Sequence, residues 1–285
     1  MRQTLLTNTE EDRMEFSVLM SVYYKEKSKY LDKALESVLI KQSVIPNEVV
    51  LVKDGLLTEE LENVINKYKI MFRKKFNIIK LEKNMGLGKA LEIGLKHCKY
   101  KYVARVDTDD INDYYRFELQ LEMFSKNSNI DLVGSNIAEF FNSPDDIKFI
   151  REVPIDINNI KKMSKRRNPI NHMTVMFRKK SVINAGSYKH LPYLEDYFLW
   201  VRMINKGYKL KNINDNLVYA RTGESMFQRR SNFEYIKSWY KLQKYMYNVN
   251  MTNIFDFLIN MVNIIFFIII PPKLKKIIYS MFLRK

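Results

Sequence analysis

Four short apolar runs, each leading into an amphipathic stretch, restrict this chain to a small set of folds. They occupy residues 16–23, 48–52, 76–81 and 102–106. The first, Phe-Ser-Val-Leu-Met-Ser-Val-Tyr, is nearly continuous in apolar character and bounded by charge, as expected of a strand buried on both faces. Between the runs, residues 30–40, 57–72 and 87–98 read as helices, with Leu31, Leu35, Val38 and Leu39 at helical spacing in the first. Strand and helix alternate with short connections. That pattern predicts right-handed βαβ units and a mostly parallel open α/β sheet flanked by helices.

Ligands of such sheets bind in the crevice at the carboxyl ends of the strands. Here the four runs end at Tyr23, Asp54, Asn84 and the pair Asp107 and Asp109. Folding alone asks for polar residues at those ends. It does not ask for acids and Asn-x-Gly on one edge. The fourth end is the densest, reading Val-Ala-Arg-Val-Asp-Thr-Asp-Asp over residues 103–110. Acids crowded this way raise each other's pKa unless a cation sits between them. Oxygen-only ligands suit Mg²⁺ or Mn²⁺, ions that also hold substrate phosphates. The plain alternative is an acidic turn that caps the following helix. The convergence of four strand ends favours a phosphate or nucleotide site.

Composition agrees with an anionic partner. The 285 residues carry a formal charge of +16, and 46% of them are hydrophobic, enough for a substantial core. Cys98 is the only cysteine, so no internal disulfide forms and a reducing compartment fits. Residues 1–15 contain Glu10, Glu11 and Asp12 and no apolar core, which predicts a loose arm rather than a signal peptide.

The second half is less regular. Residues 114–124 read as a helix, 130–141 and 175–177 as strands, and Tyr197 opens an aromatic-rich helix. Residues 161–180 hold eight basic side chains and no acid. Residues 254–270 are very apolar, with Asn253, Asp256, Asn260 and Asn263 forming one polar stripe. The uninterrupted apolar run 264–270 has seven residues, whereas a membrane span needs about 20. Pro271-Pro272 follows, then a basic tail with interleaved apolar residues that ends in Arg284-Lys285. This amphipathic helical tail suits an in-plane anchor on an anionic leaflet or a hairpin packed on protein.

At this point the chain resembles a family-2 glycosyltransferase of the GT-A fold. The resemblance rests on residues 17–23, Leu51-Val52-Lys53-Asp54-Gly55, residues 84–91, residues 104–110, residues 172–178 and Glu195-Asp196-Tyr197-Phe198-Leu199-Trp200, in the family's order. It is most similar in character to bacterial O-antigen and exopolysaccharide transferases. It implies a catalytic unit over 16–230, with a nucleotide-sugar half (16–110) and an acceptor half (111–230), and a membrane-associating helical region over 231–285. The implied reaction is an inverting transfer of a hexose from a UDP-sugar, UDP-glucose or UDP-galactose, to a polyprenyl-diphosphate-linked saccharide. The implied place is the cytoplasmic face of the plasma membrane, where anionic lipids hold the C-terminal region.

The same resemblance assigns roles. Asp109 would hold Mn²⁺ or Mg²⁺, and Asp107 the metal or the ribose. Asp54 would accept from the uracil N–H, with Val22 and Tyr23 lining the base. Asn84, Gly86 and Lys89 would close over the nucleotide, although Gly86 and Gly88 also suit a turn and Asn84 a helix cap. Arg105 would pair with the acids or with phosphate, and Arg229 and Arg230 would sit on a basic loop that closes on the diphosphate. Asp196 would be the general base, taking the acceptor proton opposite the leaving group. Residue chemistry alone does not separate it from Glu195, since either acid also suits the first turn of a helix. His172, placed on a strand, and Trp200, at helical spacing with Tyr197 and Ile204, are acceptor-side candidates with equally plain structural roles. Gly223 stands where some relatives place a metal-binding histidine, which leaves a third ligand unidentified. No Gln-x-x-Arg-Trp sequence is present, which favours single additions.

Other functions fit less well. A sugar-phosphate nucleotidyltransferase would need a glycine-rich loop after strand one, where Tyr23-Tyr24-Lys25-Glu26 stands. Charge alone suggests nucleic acid, and no recognition motif supports it. A non-catalytic scaffold remains open because of Gly223.

Overall fold

The computed structural model describes residues 14–222 and 233–270. The strands are β1 (Phe16–Val22), β2 (Glu48–Asp54), β3 (Phe76–Leu81), β4 (Tyr102–Arg105), β5 (Ile111–Asn112), β6 (Leu132–Phe140), β7 (Ile147–Arg151), β8 (Met176–Arg178) and β9 (Leu210–Arg221). The helices are α1 (Ser28–Leu39), α2 (Glu59–Phe72), α3 (Leu87–His97), α4 (Arg116–Lys126), α5 (Ile157–Met163), α6 (Lys179–Asn184), α7 (Glu195–Asn205), α8 (Phe233–Asn248) and α9 (Ile254–Ile269).

The strands form one sheet in the order β3-β2-β1-β4-β8-β6-β9-β5, with β7 added to β6. The first four pair in parallel. Chain order therefore reverses at β1, with β2 and β3 on one side and β4 on the other. That switch point opens a crevice between the ends of β1 and β4. Beyond β4 the sheet becomes mixed: β8 runs antiparallel to β4 and β6, while β9 runs parallel to β6.

Continuous apolar runs serve both faces. Phe16, Val18, Met20 and Val22 pack beneath α1 and α2, against Leu31, Leu35, Leu61 and Ile65. Leu19, Val50 and Val52 point to the other face, where Leu91 and Leu95 of α3 and Trp200 of α7 cover them. Thr58 caps α2 by accepting from the Leu61 N–H, and Glu59, Glu60 and Glu62 complement the helix dipole in its first turn.

Several expectations change. Met14 packs on the core and Glu15 accepts from Asn47, so the end of the predicted arm is docked. Strand β9 was not foreseen, because Asn212, Asn214, Asp215 and Asn216 interrupt its apolar pattern. His172 lies in a 3-10 turn (His172–Thr174) just before β8, not on the strand. Helices α8 and α9 pack on α7 through Tyr197, Val201, Trp239, Leu242 and Ile264. The polar stripe of α9 does not all face water: Asn260 is buried and bonds Gln243 and the Lys165 carbonyl. No helix among the described residues is long and apolar enough to cross a membrane. The basic tail 271–285, Gly223, Arg229 and Arg230 lie outside the described residues.

Gly94 sets the distance of α3 from the sheet. A Cβ there would lie 2.5 Å from Leu19 Cδ1 and 2.6 Å from Val52 Cγ2. Replacing a mid-helix glycine by alanine gains about 1 kcal/mol of helix propensity. Overpacking a two-sided core costs about 1–3 kcal/mol. Gly94→Ala is expected to lower the thermal midpoint by a few degrees. An unchanged or raised midpoint would show that α3 moves away freely.

Candidate active site

Asp107, Asp109 and Asp110 leave the end of β4 together. One carboxylate oxygen from each can be chosen so that all three lie within 4.8 Å of one another. Beneath them Arg105 is 1% exposed and grips Asp107 with both terminal nitrogens, one at 2.5 Å. Burial opposes the charge of this guanidinium, and Asp107 outweighs the penalty. In this structure Arg105 serves the acids. A second buried arginine, Arg116, bonds the Arg105 carbonyl at 2.7 Å and braces the end of β4.

The three acids then diverge. Asp110 is buried, and its Oδ1 accepts the Arg221 N–H at 2.8 Å, tying β4 to the end of β9. The next element is the short strand β5, so Asp110 does not cap a helix; Asp113 instead accepts from Tyr115 N at the start of α4. Burial pushes the Asp109 carboxyl above its ordinary range, and Asp107 and Glu26 add to the effect. Burial, then Asp109 and Asp107, do the same to Asp110. Glu26 was missed at the sequence level. It lies in the loop after β1 and accepts from Thr108 Oγ1 at 3.0 Å. Arg221 was also missed; its guanidinium stacks over Tyr30 at 3.8 Å and bonds the Asp109 carbonyl at 3.3 Å. A strand-end arginine offers no motif by which to find it.

The second strand end forms a staple. Asp54 Oδ1 accepts from Met85 N at 2.6 Å and Oδ2 from Gly86 N at 3.0 Å. Asn84 donates to the Asp54 carbonyl at 3.3 Å and is not the cap of α3; that position belongs to Gly86, at φ +84°. Gly88 has a different purpose. A Cβ there would lie 2.7 Å from Glu195 Cγ, so α3 and α7 meet at this point. Lys89 pairs with Glu92 at 2.7 Å, along its own helix. Val22 is buried and Tyr23 half-buried at the end of β1.

Glu195 and Asp196 open α7. Burial raises the Glu195 carboxyl to about 7, with Asp196 and Glu234 adding repulsion. Asp196 Oδ2 accepts from Asn168 Nδ2 at 2.6 Å, and Asn168 Oδ1 accepts from Ile170 N at 3.2 Å, which fixes the amide's orientation. Asn168 is a further residue that sequence reasoning missed. His172 bonds the Tyr188 hydroxyl at 3.0 Å. Burial raises the Tyr188 pKa; the charge of Arg105 opposes this, and Asp196 and Asp107 reinforce it. Trp200 is fully buried in the core and its ring is not open to an acceptor.

An acid-rich switch point in a mostly parallel sheet, with further acids at the start of a separate helix, is the architecture of a GT-A-type glycosyltransferase. The comparisons agree. The family model "Glycosyl transferase family 2" matches residues 17–186, and the chain belongs to that family. It is 38% identical over 277 residues to the Escherichia coli UDP-Gal:alpha-D-GlcNAc-diphosphoundecaprenol beta-1,3-galactosyltransferase, covering 96% of this chain and 98% of that one. It is 41% identical over 229 residues to the Erwinia amylovora amylovoran biosynthesis glycosyltransferase AmsE, covering 80% and 84%. Among solved structures, S. aureus TarS 1–349 in complex with UDP-GlcNAc shares the fold at a TM-score of 0.65 and 20% identity, covering 89% of this chain and 73% of that one. The mannosyltransferase of Pyrobaculum calidifontis in complex with GDP-Man and Mn²⁺ does so at 0.61 and 12%, covering 84% and 67%.

The raised Asp109 carboxyl has a consequence for stability. Its folded pKa lies above its unfolded one, so stability falls as pH rises out of the ordinary carboxylate range and stays lowered above the folded value. In metal-free protein, Asp109→Asn is expected to melt higher than wild type at pH 8. The gap should close as pH falls towards 4. A gap that is absent at pH 8, or that widens in acid, would contradict this account of the site.

Proposed function

We propose that this glycosyltransferase moves a hexose with inversion from a UDP-sugar, UDP-galactose or UDP-glucose, to a saccharide carried on a polyprenyl diphosphate. The reaction belongs to assembly of an O-antigen, capsule or exopolysaccharide. The observation that carries this reading is the 38% identity over nearly the whole chain to a transferase named for UDP-Gal and a diphosphoundecaprenol acceptor.

The donor side draws on the first three strand ends and the acids. Asp54 holds the Asn84–Gly86 turn and retains lone pairs for a uracil N–H. Val22 and Tyr23 wall the base. The donor set of Asp107, Asp109 and Asp110 is all oxygen and fits a hard cation. Mn²⁺ or Mg²⁺ held there would offset the charge of the departing diphosphate. Arg105 keeps Asp107 in place, and Arg229 and Arg230 would add positive charge from outside the described residues. Lys89 would have to leave Glu92 to reach a phosphate.

On the acceptor side Asp196 takes the proton of the attacking hydroxyl. The new C1–O bond forms as the C1–O bond to the diphosphate breaks, and the electron pair leaves with UDP. Asn168 acts as a positioning residue for this carboxylate, while Glu195 and His172 shape the surround. The protein would work at the inner face of the plasma membrane as a peripheral enzyme.

The test is a donor screen read by mass, using purified protein, Mn²⁺, a lipid-diphosphate-linked monosaccharide and a panel of nucleotide sugars. Asp196→Asn is expected to lower kcat by about 10²–10⁴ with KM little changed. Survival of near wild-type kcat would remove Asp196 as the base. Asn168→Ala withdraws a hydrogen bond that favours the ionised form. It should lower kcat less and move the acid limb of the pH–rate profile to higher pH. An unmoved limb would reduce Asn168 to a structural role.

A further inference from the structure

Helix α9 is apolar on both its packed and its outward sides. Ile264 packs inward beside Asn260, which is 4% exposed and bonded to Gln243 and to the Lys165 carbonyl, while Asn263 is exposed at the edge of the outward face. Asn253 is spent as the helix cap. The outward face is apolar: Phe255 is 72% exposed, Phe266 65%, Val262 64% and Leu258 52%, with Ile254 and Ile259 beside them. On a helix of 3.6 residues per turn these positions span an arc of roughly 140°. Isolated exposed apolar residues are ordinary, but a continuous face of this kind marks an interaction surface.

Its borders identify the partner. On one flank Tyr240 and Tyr247 of α8 touch Phe257 edge-on, and Lys237, Lys241 and Lys244 are exposed along the same helix. On the other flank the loop after α5 abuts α9. Lys165 offers its carbonyl to Asn260, and Arg166 lies 4.0 Å from Asp256. Lys161, Lys162, Lys165 and Arg166 are all exposed there. A hollow of about 610 Å³ opens at this seam, lined by Lys165, Thr252 and Asp256 among others.

We propose that the outward face of α9, flanked by the basic side chains of α8 and of residues 161–166, seats the enzyme on an anionic lipid surface. Apolar residues enter the acyl boundary, tyrosines lie at the headgroup level, and lysines meet lipid phosphate. A second copy of this chain would fit poorly. It would bring together two rims in which lysine and arginine predominate. This surface lies on α8, α9 and residues 161–166, all among the described residues. The proposal deepens the reading of a lipid-linked acceptor, and its test reads binding apart from catalysis.

Full-length protein is floated with vesicles of phosphatidylglycerol and phosphatidylethanolamine, and separately with phosphatidylcholine. Binding to the anionic vesicles is expected, falling with salt, and binding to phosphatidylcholine should be much weaker. Val262→Glu/Phe266→Glu should lower partitioning by about tenfold or more, with the thermal midpoint unchanged and transfer to a short-chain, water-soluble acceptor intact. Lys241→Glu/Lys244→Glu should weaken anionic binding alone. Equal binding of wild type and the Val262/Phe266 variant would overturn the proposal. So would a variant that loses a self-association seen by sedimentation yet still binds vesicles. Loss of transfer in every protein, with vesicle binding intact, would count against the proposed reaction and leave the docking surface standing.

Discussion

The ion pair between Arg105 and Asp107 is the interaction on which the site depends. Four carboxylates, from Glu26, Asp107, Asp109 and Asp110, gather at one strand end. Without a fixed cation beneath them they would repel one another in a partly buried place. Arg105 supplies that cation from inside the sheet, held by β4 itself. Breaking a buried pair by removing one partner typically costs about 3–5 kcal/mol. Arg116 completes the support by bonding the Arg105 carbonyl from α4. The acid cluster therefore rests on two buried arginines. Lysine would serve badly at Arg105, because both terminal nitrogens are used on one carboxylate.

Much of this was legible in the chain. The four apolar runs defined β1 to β4, and the polar residues at their ends proved to share one edge. What could not be read was the far side of the sheet. Strand β9 carries Asn212, Asn214, Asp215 and Asn216, and its pairing with β6 shifts register near Asn136. A strand made regular by its partner leaves little periodicity of its own. Arg221 and Asn168 matter only because β9 and the Pro169 loop bring them beside acids distant in sequence. Glu26 was in plain view within Tyr23-Tyr24-Lys25-Glu26, yet no local pattern connects it with Thr108.

Helix α9 shows a different limit. Its sequence displays a polar stripe and an apolar arc, and amphipathicity by itself names no direction. The usual assumption turns the apolar arc inward. Here the neighbours decide otherwise, since Gln243 and the Lys165 carbonyl offer buried partners to Asn260. A buried amide with both partners supplied is stable, so Asn260 can face the protein while Asn253 and Asn263 stay exposed. The same logic corrects Trp200. Its spacing with Tyr197 suited a core, and the core claimed it.

The choice between Glu195 and Asp196 can now be argued physically. Both occupy the first turn of α7, so the helix dipole does not discriminate. Their surroundings do. Glu195 lies against Gly88 of α3 in a partly buried seam, and its carboxyl holds a proton up to about 7. Asp196 instead receives an amide N–H from Asn168, whose own orientation is pinned by Ile170. A hydrogen bond donated to a carboxylate stabilises the ionised form. A general base must be ionised and held still before the acceptor arrives. Glu195 is placed to join α3 to α7, and so to link the loop stapled by Asp54 to that helix. In the proposed reaction Asp196 would carry the proton and Glu195 would keep α3 and α7 in register.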